Sequence, residues 1–159
     1  MKFPDYLKRG DKVAILCTAR KFSAEDAQPA IALLRKWGLE PILGSTIGLD
    51  NFQLGGSDEE RAFDFQTQID NPEIKAIWVA RGGYGSVRII DNLNFDLFLQ
   101  NPKWIIGFSD ITVFHAHLNT LNVATLHAIM PFTVPNTIET SIDSLKKAIF
   151  GEALTYEIP

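Results

Sequence analysis

The stretch Trp104 to Thr112, WIIGFSDIT, joins a short apolar run, a glycine and a serine where a strand gives way to a helix. Such an abrupt turn can hold a serine hydroxyl exposed above a sheet, as in a nucleophile elbow. The backbone N–H of the next residue, here Asp110, then contributes to an oxyanion hole, and the helix start adds a favourable dipole. The full G-x-S-x-G pattern is not met, because Ile111 occupies the place of the last glycine. A plainer reading also fits: Ser109 or Asp110 simply caps the helix.

A second candidate is Arg81-Gly82-Gly83-Tyr84-Gly85, directly after another apolar run. Glycines there let the backbone approach a ligand closely, and their N–H groups can bind a phosphate or stabilise an oxyanion. Neither a Walker loop nor a G-x-G-x-x-G fingerprint is present, and a flexible turn is the alternative. If the two preceding strands are neighbours, their ends lie about 5 Å apart. Gly83 then reaches the atom that Ser109 would attack. The histidines say less. His115 and His117 are two apart on a helix and make a poor metal pair, while His127 ends a strand and can line the same cleft. No Glu or His is placed by sequence to activate Ser109.

The elements that must position these residues alternate. Strands are expected at Lys12–Cys17, Glu40–Leu43, Ala76–Ala80, Trp104–Gly107 and Ala124–His127. Helices are expected from an N-cap at Ser23 to Trp37, from Ser57 to Ile69, over Ser86–Leu93, Ile111–Thr120 and Ser141–Phe150, with a short turn at Asn94–Phe98. Gly44–Gly56 reads as a surface loop and Leu154–Ile158 as extended. Alternation of this kind predicts an α/β fold: an open, mostly parallel sheet with helices on both faces, a three-layer sandwich. Ligands then sit at the carboxyl ends of the strands, where both candidate loops fall.

Composition narrows the classes. At 159 residues and 46% apolar, the chain suits one globular domain with a full core. A net charge of −4 without a basic cluster argues against nucleic acid or an anionic membrane as partner. Cys17 is the single cysteine, which excludes an internal disulfide and makes a thiolate metal cluster an unfavoured reading. No signal peptide or membrane span is evident, so a cytoplasmic location is expected.

Four ordered motifs together carry a resemblance: Arg81–Gly85, Asn101-Pro102-Lys103, Gly107-Phe108-Ser109-Asp110-Ile111-Thr112 and Thr125-Leu126-His127. With the opening Leu7–Ala14, they resemble the LD-carboxypeptidase family of serine peptidases across essentially the whole chain. The resemblance implies a flavodoxin-like or class I glutamine-amidotransferase-like domain and a muramoyl-tetrapeptide carboxypeptidase. Such an enzyme removes the terminal D-alanine from cytoplasmic cell-wall peptides, without metal or other cofactor. Ser109 maps onto the family's nucleophile, and the backbones of Asp110 and Gly83 onto its oxyanion donors. Arg81, Gly82, Tyr84 and His127 map onto the substrate cleft, Arg81 either gripping the substrate carboxylate or serving as a structural ion-pair partner. A related branch cleaves peptidyl-nucleotide antibiotics. Two stretches depart from the pattern: Thr18-Ala19 stands for Pro-Ser, and His127-Ala128-Ile129-Met130 for His-Gly-Pro-Met.

The resemblance further implies that residues 1–159 form an N-terminal, nucleophile-bearing domain. The family's Glu and His would lie in a C-terminal domain outside it, so little turnover is expected from this piece. A homodimer is expected for the full-length protein, with a small muramyl peptide as its ligand. Two readings of other classes compete: a non-catalytic module that binds an anionic metabolite at the strand edge, and a scaffold used only for subunit contacts.

Overall fold

The computed structural model describes residues 1–156. Five strands form one parallel sheet: β1 (Lys12–Leu16), β2 (Glu40–Leu43), β3 (Ile74–Val79), β4 (Trp104–Gly107) and β5 (Leu126–His127). Their spatial order is β2-β1-β3-β4-β5, the flavodoxin-like arrangement. Every pair is parallel, so each connection must cross over, and helices supply the crossovers.

Alternation along the strands builds two cores. Val13, Ile15, Trp78 and Ile106 face one side, where they pack with α1 (Gln28–Lys36) and α6 (Glu139–Phe150). Ala14, Leu16, Ile77 and Ile105 face the other, against α2 (Asp58–Asp70), α3 (Ser86–Ile89), α4 (Asp96–Gln100) and α5 (Thr112–Thr120). Helices on both faces explain why the strands are continuous apolar runs. The α/β three-layer expectation therefore holds.

Some boundaries differ from the sequence reading. Ser23 does accept a hydrogen bond from the Asp26 N–H, at 3.0 Å, but it closes a turn over residues 24–27 that leads into the helix rather than forming part of it. The helix proper starts at Gln28 because Pro29 lacks an N–H and is tolerated only in a first turn. At α2 the expected start is present as a reciprocal capping box between Ser57 and Glu60. The Ser86–Leu93 helix is one turn of α-helix followed by a 3-10 turn over Ile90–Asn92. A 3-10 segment at Pro131–Asn136 was not anticipated. The extended reading of Leu154–Ile158 finds no strand at Leu154–Tyr156, and its last residues lie outside the described ones.

The Gly44–Gly56 loop is anchored inward. Thr46, fully buried, donates through its hydroxyl to Asp64 at 2.6 Å and accepts from the Cys17 N–H at 2.8 Å. Arg61, also fully buried, bonds the carbonyls of Gly56, Thr18 and Gly85 and pairs with Asp58. One guanidinium thus pins the loops after β1 and β3 at the carboxyl edge. Paired and multiply bonded, it meets the condition under which a buried charge is tolerated.

Candidate active site

β3 and β4 are direct neighbours, with Ala76 opposite Trp104 and Trp78 opposite Ile106. Their carboxyl ends therefore deliver the glycine loop and the serine turn side by side. Ser109 sits at φ +62°, a left-handed conformation rare for a non-glycine residue. It is exposed at the top of the sheet, and the 3-10 turn Ser109–Ile111 runs on into α5. Strain of this kind persists only where surrounding structure enforces it, and it collects at functional sites.

The departure from G-x-S-x-G has a steric explanation. A Cβ on Gly107 would lie 2.8 Å from Cγ1 of Ile111. The turn folds the second residue after the serine back onto the second residue before it. With Gly107 bare on one side, Ile111 can be large on the other.

The capping alternative does not hold. Neither the 3-10 turn nor α5 receives a side-chain cap from Ser109 or Asp110. Instead Asp110 reaches across to the other loop, its Oδ2 accepting from the N–H groups of Gly85 at 3.2 Å and Ser86 at 3.0 Å. The Ser86 hydroxyl in turn donates to Thr18 at 2.8 Å. The loops after β1, β3 and β4 are thereby locked together, leaving the Ser109 hydroxyl uncommitted among the described residues.

Gly82 gives the serine its room. A Cβ there would lie 3.2 Å from the Ser109 Cβ, 3.3 Å from its Oγ and 3.6 Å from the Asp110 nitrogen. Gly83 is exposed at φ +148°, and a Cβ on it would strike the Arg20 side chain at 2.7 Å. The Asp110 N–H belongs to the first turn of its helix, where donors lack intrahelical partners. The Gly83 N–H donates to no backbone carbonyl among the described residues. Both are open donors beside the serine, the type of group that stabilises an oxyanion.

A cleft of about 300 Å³ contains Ser109 together with Arg81, Gly82, Gly83 and Phe132. The Phe132 N–H donates to the Ala80 carbonyl at 3.0 Å, which sets its ring beneath Arg81, 4.1 Å from the guanidinium carbon. Arg81 has no carboxylate within 4.0 Å among the described residues, so the structural ion-pair reading is corrected. Stacking on Phe132 leaves its N–H edges available.

Tyr84 and His127 lie apart from this cleft. Tyr84 lines an adjoining outer cleft of about 590 Å³ that shares Arg20 and Gly83 with the first. His127 lines a separate cavity of about 530 Å³ against α6, with its ring 6.2 Å from that of Phe108. His115 bonds the Gly107 carbonyl at 2.8 Å, and burial pulls its pKa below the usual histidine value. A neutral ring donating from Nε2 braces the strand end that carries the serine. Cys17 is buried, and desolvation pushes its thiol up to about 12, which removes it as a competing nucleophile.

Arg20 and Phe132 went unnoticed in the sequence. Arg20 had a usable signal, since it follows β1 at the β1/β3 switch point where flavodoxin-like sheets bind ligands. Phe132 had none, because an unpredicted 3-10 segment carries it.

The model of the LD-carboxypeptidase N-terminal domain matches residues 13–128. The chain belongs to the LD-carboxypeptidase family. A putative carboxypeptidase of Streptomyces coelicolor is 36% identical over 132 residues, 80% of this chain and 43% of that protein. The murein tetrapeptide carboxypeptidase of Pseudomonas aeruginosa is 30% identical over 159 residues, 93% of this chain and 51% of that one. Among solved structures, a microcin C7 self-immunity protein in complex with aspartyl sulfamoyl adenosine superposes with a TM-score of 0.88 at 23% identity, covering 98% of this chain and 50% of that one. The chain thus spans about half the length of these two curated relatives. The matched family segment runs from Val13 in β1 through the end of β5 and includes both candidate loops.

Proposed function

We propose that this chain is the nucleophile-bearing domain of a serine LD-carboxypeptidase that releases the terminal D-alanine from cytoplasmic muramyl tetrapeptides in cell-wall recycling. The observation that carries the proposal is the Ser109 turn: an exposed serine at φ +62°, with bare Gly82 beside its hydroxyl and Gly83 lining the same cleft. The family membership and the murein tetrapeptide carboxypeptidase among the relatives support the substrate class.

In this mechanism Ser109 Oγ attacks the carbonyl that precedes the terminal D-alanine. The Asp110 and Gly83 N–H groups receive the oxyanion as the carbonyl becomes tetrahedral. The C–N bond then breaks, and the amine leaves with a proton. Water hydrolyses the resulting acyl-serine and returns the hydroxyl. Arg81, stacked on Phe132, holds the D-alanine carboxylate through two parallel N–H bonds. A serine hydroxyl needs a base to take its proton. Among the described residues, no His, Asp or Glu lines the Ser109 cleft. We assign that base, with its orienting partner, to a C-terminal domain of the kind the relatives' extra length can supply.

The test is D-alanine release from a muramyl tetrapeptide by the full encoded polypeptide. Ser109→Ala should lower kcat/KM by about a thousandfold or more while leaving the unfolding midpoint unchanged. Full activity in that variant would rule out Ser109 as nucleophile. Cleavage of an aminoacyl nucleotide in preference to the muramyl peptide would move the enzyme to the peptidyl-nucleotide branch.

A further inference from the structure

The groove around Ser109 has an unusual charge pattern for an acidic protein. The chain carries a net charge of −4, yet among the described residues neither the inner nor the outer cleft is lined by any Asp or Glu. Three arginines line them instead: Arg81 in the inner cleft, Arg88 in the outer, and Arg20 in both. Arg88 is already committed, with its guanidinium 2.7 Å from Asp58. Arg20 is exposed and has no carboxylate within 4.0 Å among the described residues. The neighbouring cation on the same loop, Lys21, is paired with Asp50 at 2.5 Å. An unpaired arginine at the junction of two acid-free clefts repels cations and favours an anion at that point.

Gly83 makes the position possible. The Arg20 stem lies across it, at a place any side chain on residue 83 would occupy. Beyond the junction, the outer cleft presents amides at Asn51 and Gln53 and the aromatic rings of Phe52 and Tyr84, which are 93% and 78% exposed. It has about twice the volume of the inner cleft (590 against 300 Å³). If Arg81 takes the carboxylate of the single leaving residue, the larger space left for the longer acyl portion is the outer cleft, which adjoins the inner one at Gly83 and Arg20.

We infer that the outer cleft is the acyl-side subsite of the groove and that Arg20 selects substrates bearing a carboxylate on the acyl side of the scissile bond. This rests on the reading of Ser109 as the nucleophile. The ligand class is an acidic peptide with at least two carboxylates, a terminal one for Arg81 and an internal one for Arg20. Phe52 and Tyr84 supply apolar area to its backbone.

Two acetylated tetrapeptides ending in D-alanine test this, one with glutamate two residues before the scissile bond and one with glutamine there. Calorimetry on the full encoded polypeptide carrying Ser109→Ala measures binding without turnover. The glutamate peptide should bind about tenfold tighter, the scale of one charge-assisted hydrogen bond. Adding Arg20→Met, which keeps the stem over Gly83, should bring the two affinities within about twofold of each other, and Arg20→Lys should retain part of the preference. Equal binding of the two peptides, no binding of either, or a preference that survives Arg20→Met would each overturn the inference. D-alanine release by the unmutated enzyme separates the two proposals. Release without an acid preference removes the role of Arg20 alone. An Arg20-dependent preference without release removes Ser109 as nucleophile and leaves the acidic-peptide groove standing.

Discussion

Gly82 and Gly107 are the residues whose lack of a side chain decides the local geometry, and they act differently. Gly107 makes the turn possible, since a Cβ there would drive into Ile111. Gly82 does not support the turn; it keeps the space beside the Ser109 hydroxyl clear. Its backbone is outside the left-handed region, so alanine brings no conformational strain. Gly82→Ala should therefore fold with an almost unchanged denaturation midpoint, yet lower kcat/KM for D-alanine release at least about tenfold by crowding the attacking oxygen. Unaltered kinetics in that variant would mean the reacting atoms do not pass between Gly82 and Ser109. At this scale the sequence was legible where residue types alone dictate shape: Gly107-Phe108-Ser109 announced the turn. It was silent on Asp110, whose side chain serves Gly85 and Ser86, 25 and 24 residues away. Only the adjacency of β3 and β4 brings those N–H groups within reach.

Between elements, Lys103 joins the end of α2 to the start of β4. Only 2% exposed, it donates to the carbonyls of Gln68 at 3.1 Å and Asn71 at 2.6 Å. Burial, reinforced by nearby Lys75, lowers its pKa from 10.5 to about 8. Between these values the unfolded chain holds the proton and the folded one sheds it, so stability rises with pH across the window. Below pH 8 the folded protein keeps the buried cation at the full cost of the shift, on the order of 3 kcal/mol. The difference in unfolding free energy between the native chain and Lys103→Met should accordingly change between pH 8 and 10.5, with the native chain gaining. Contributions common to both, such as Lys12, whose pKa its partner Glu73 raises, cancel in that difference. A difference independent of pH would show that Lys103 titrates normally. Element existence was readable here because strands buried on both faces are continuous apolar runs and Ser57 with Glu60 spells a helix start. Ser23 signals a helix start through its local hydrogen bond, but Pro29, six residues later, sets where the helix itself begins. Arg20 shows the same limit: the sequence places it after a strand, but only the strand order places it at the serine.

Across the whole molecule, the parts needed to fold and the parts needed to react are distributed differently. Both apolar cores close within residues 1–156, with α1 and α6 covering one face of the sheet and α2 to α5 the other. Folding therefore has what it requires inside this chain. Under the proposed mechanism the reaction lacks one part among the described residues, because the cleft brings together a serine, open N–H donors and arginines, and no His, Asp or Glu lines it. His115 is bonded to the Gly107 carbonyl through Nε2, and burial lowers its pKa. Residues 1–159 expressed alone should consequently unfold in a single cooperative transition and release D-alanine at least about a thousandfold more slowly than the full encoded polypeptide. They should still bind the acidic tetrapeptide, since Arg20, Arg81 and the glycine loop are intact. Circular dichroism melts, calorimetry and the release assay on the same preparation check the three expectations together. Turnover by residues 1–159 at the rate of the full polypeptide would place the base within this chain, and His127, one strand away from the serine at the same sheet edge, would be the residue to mutate first.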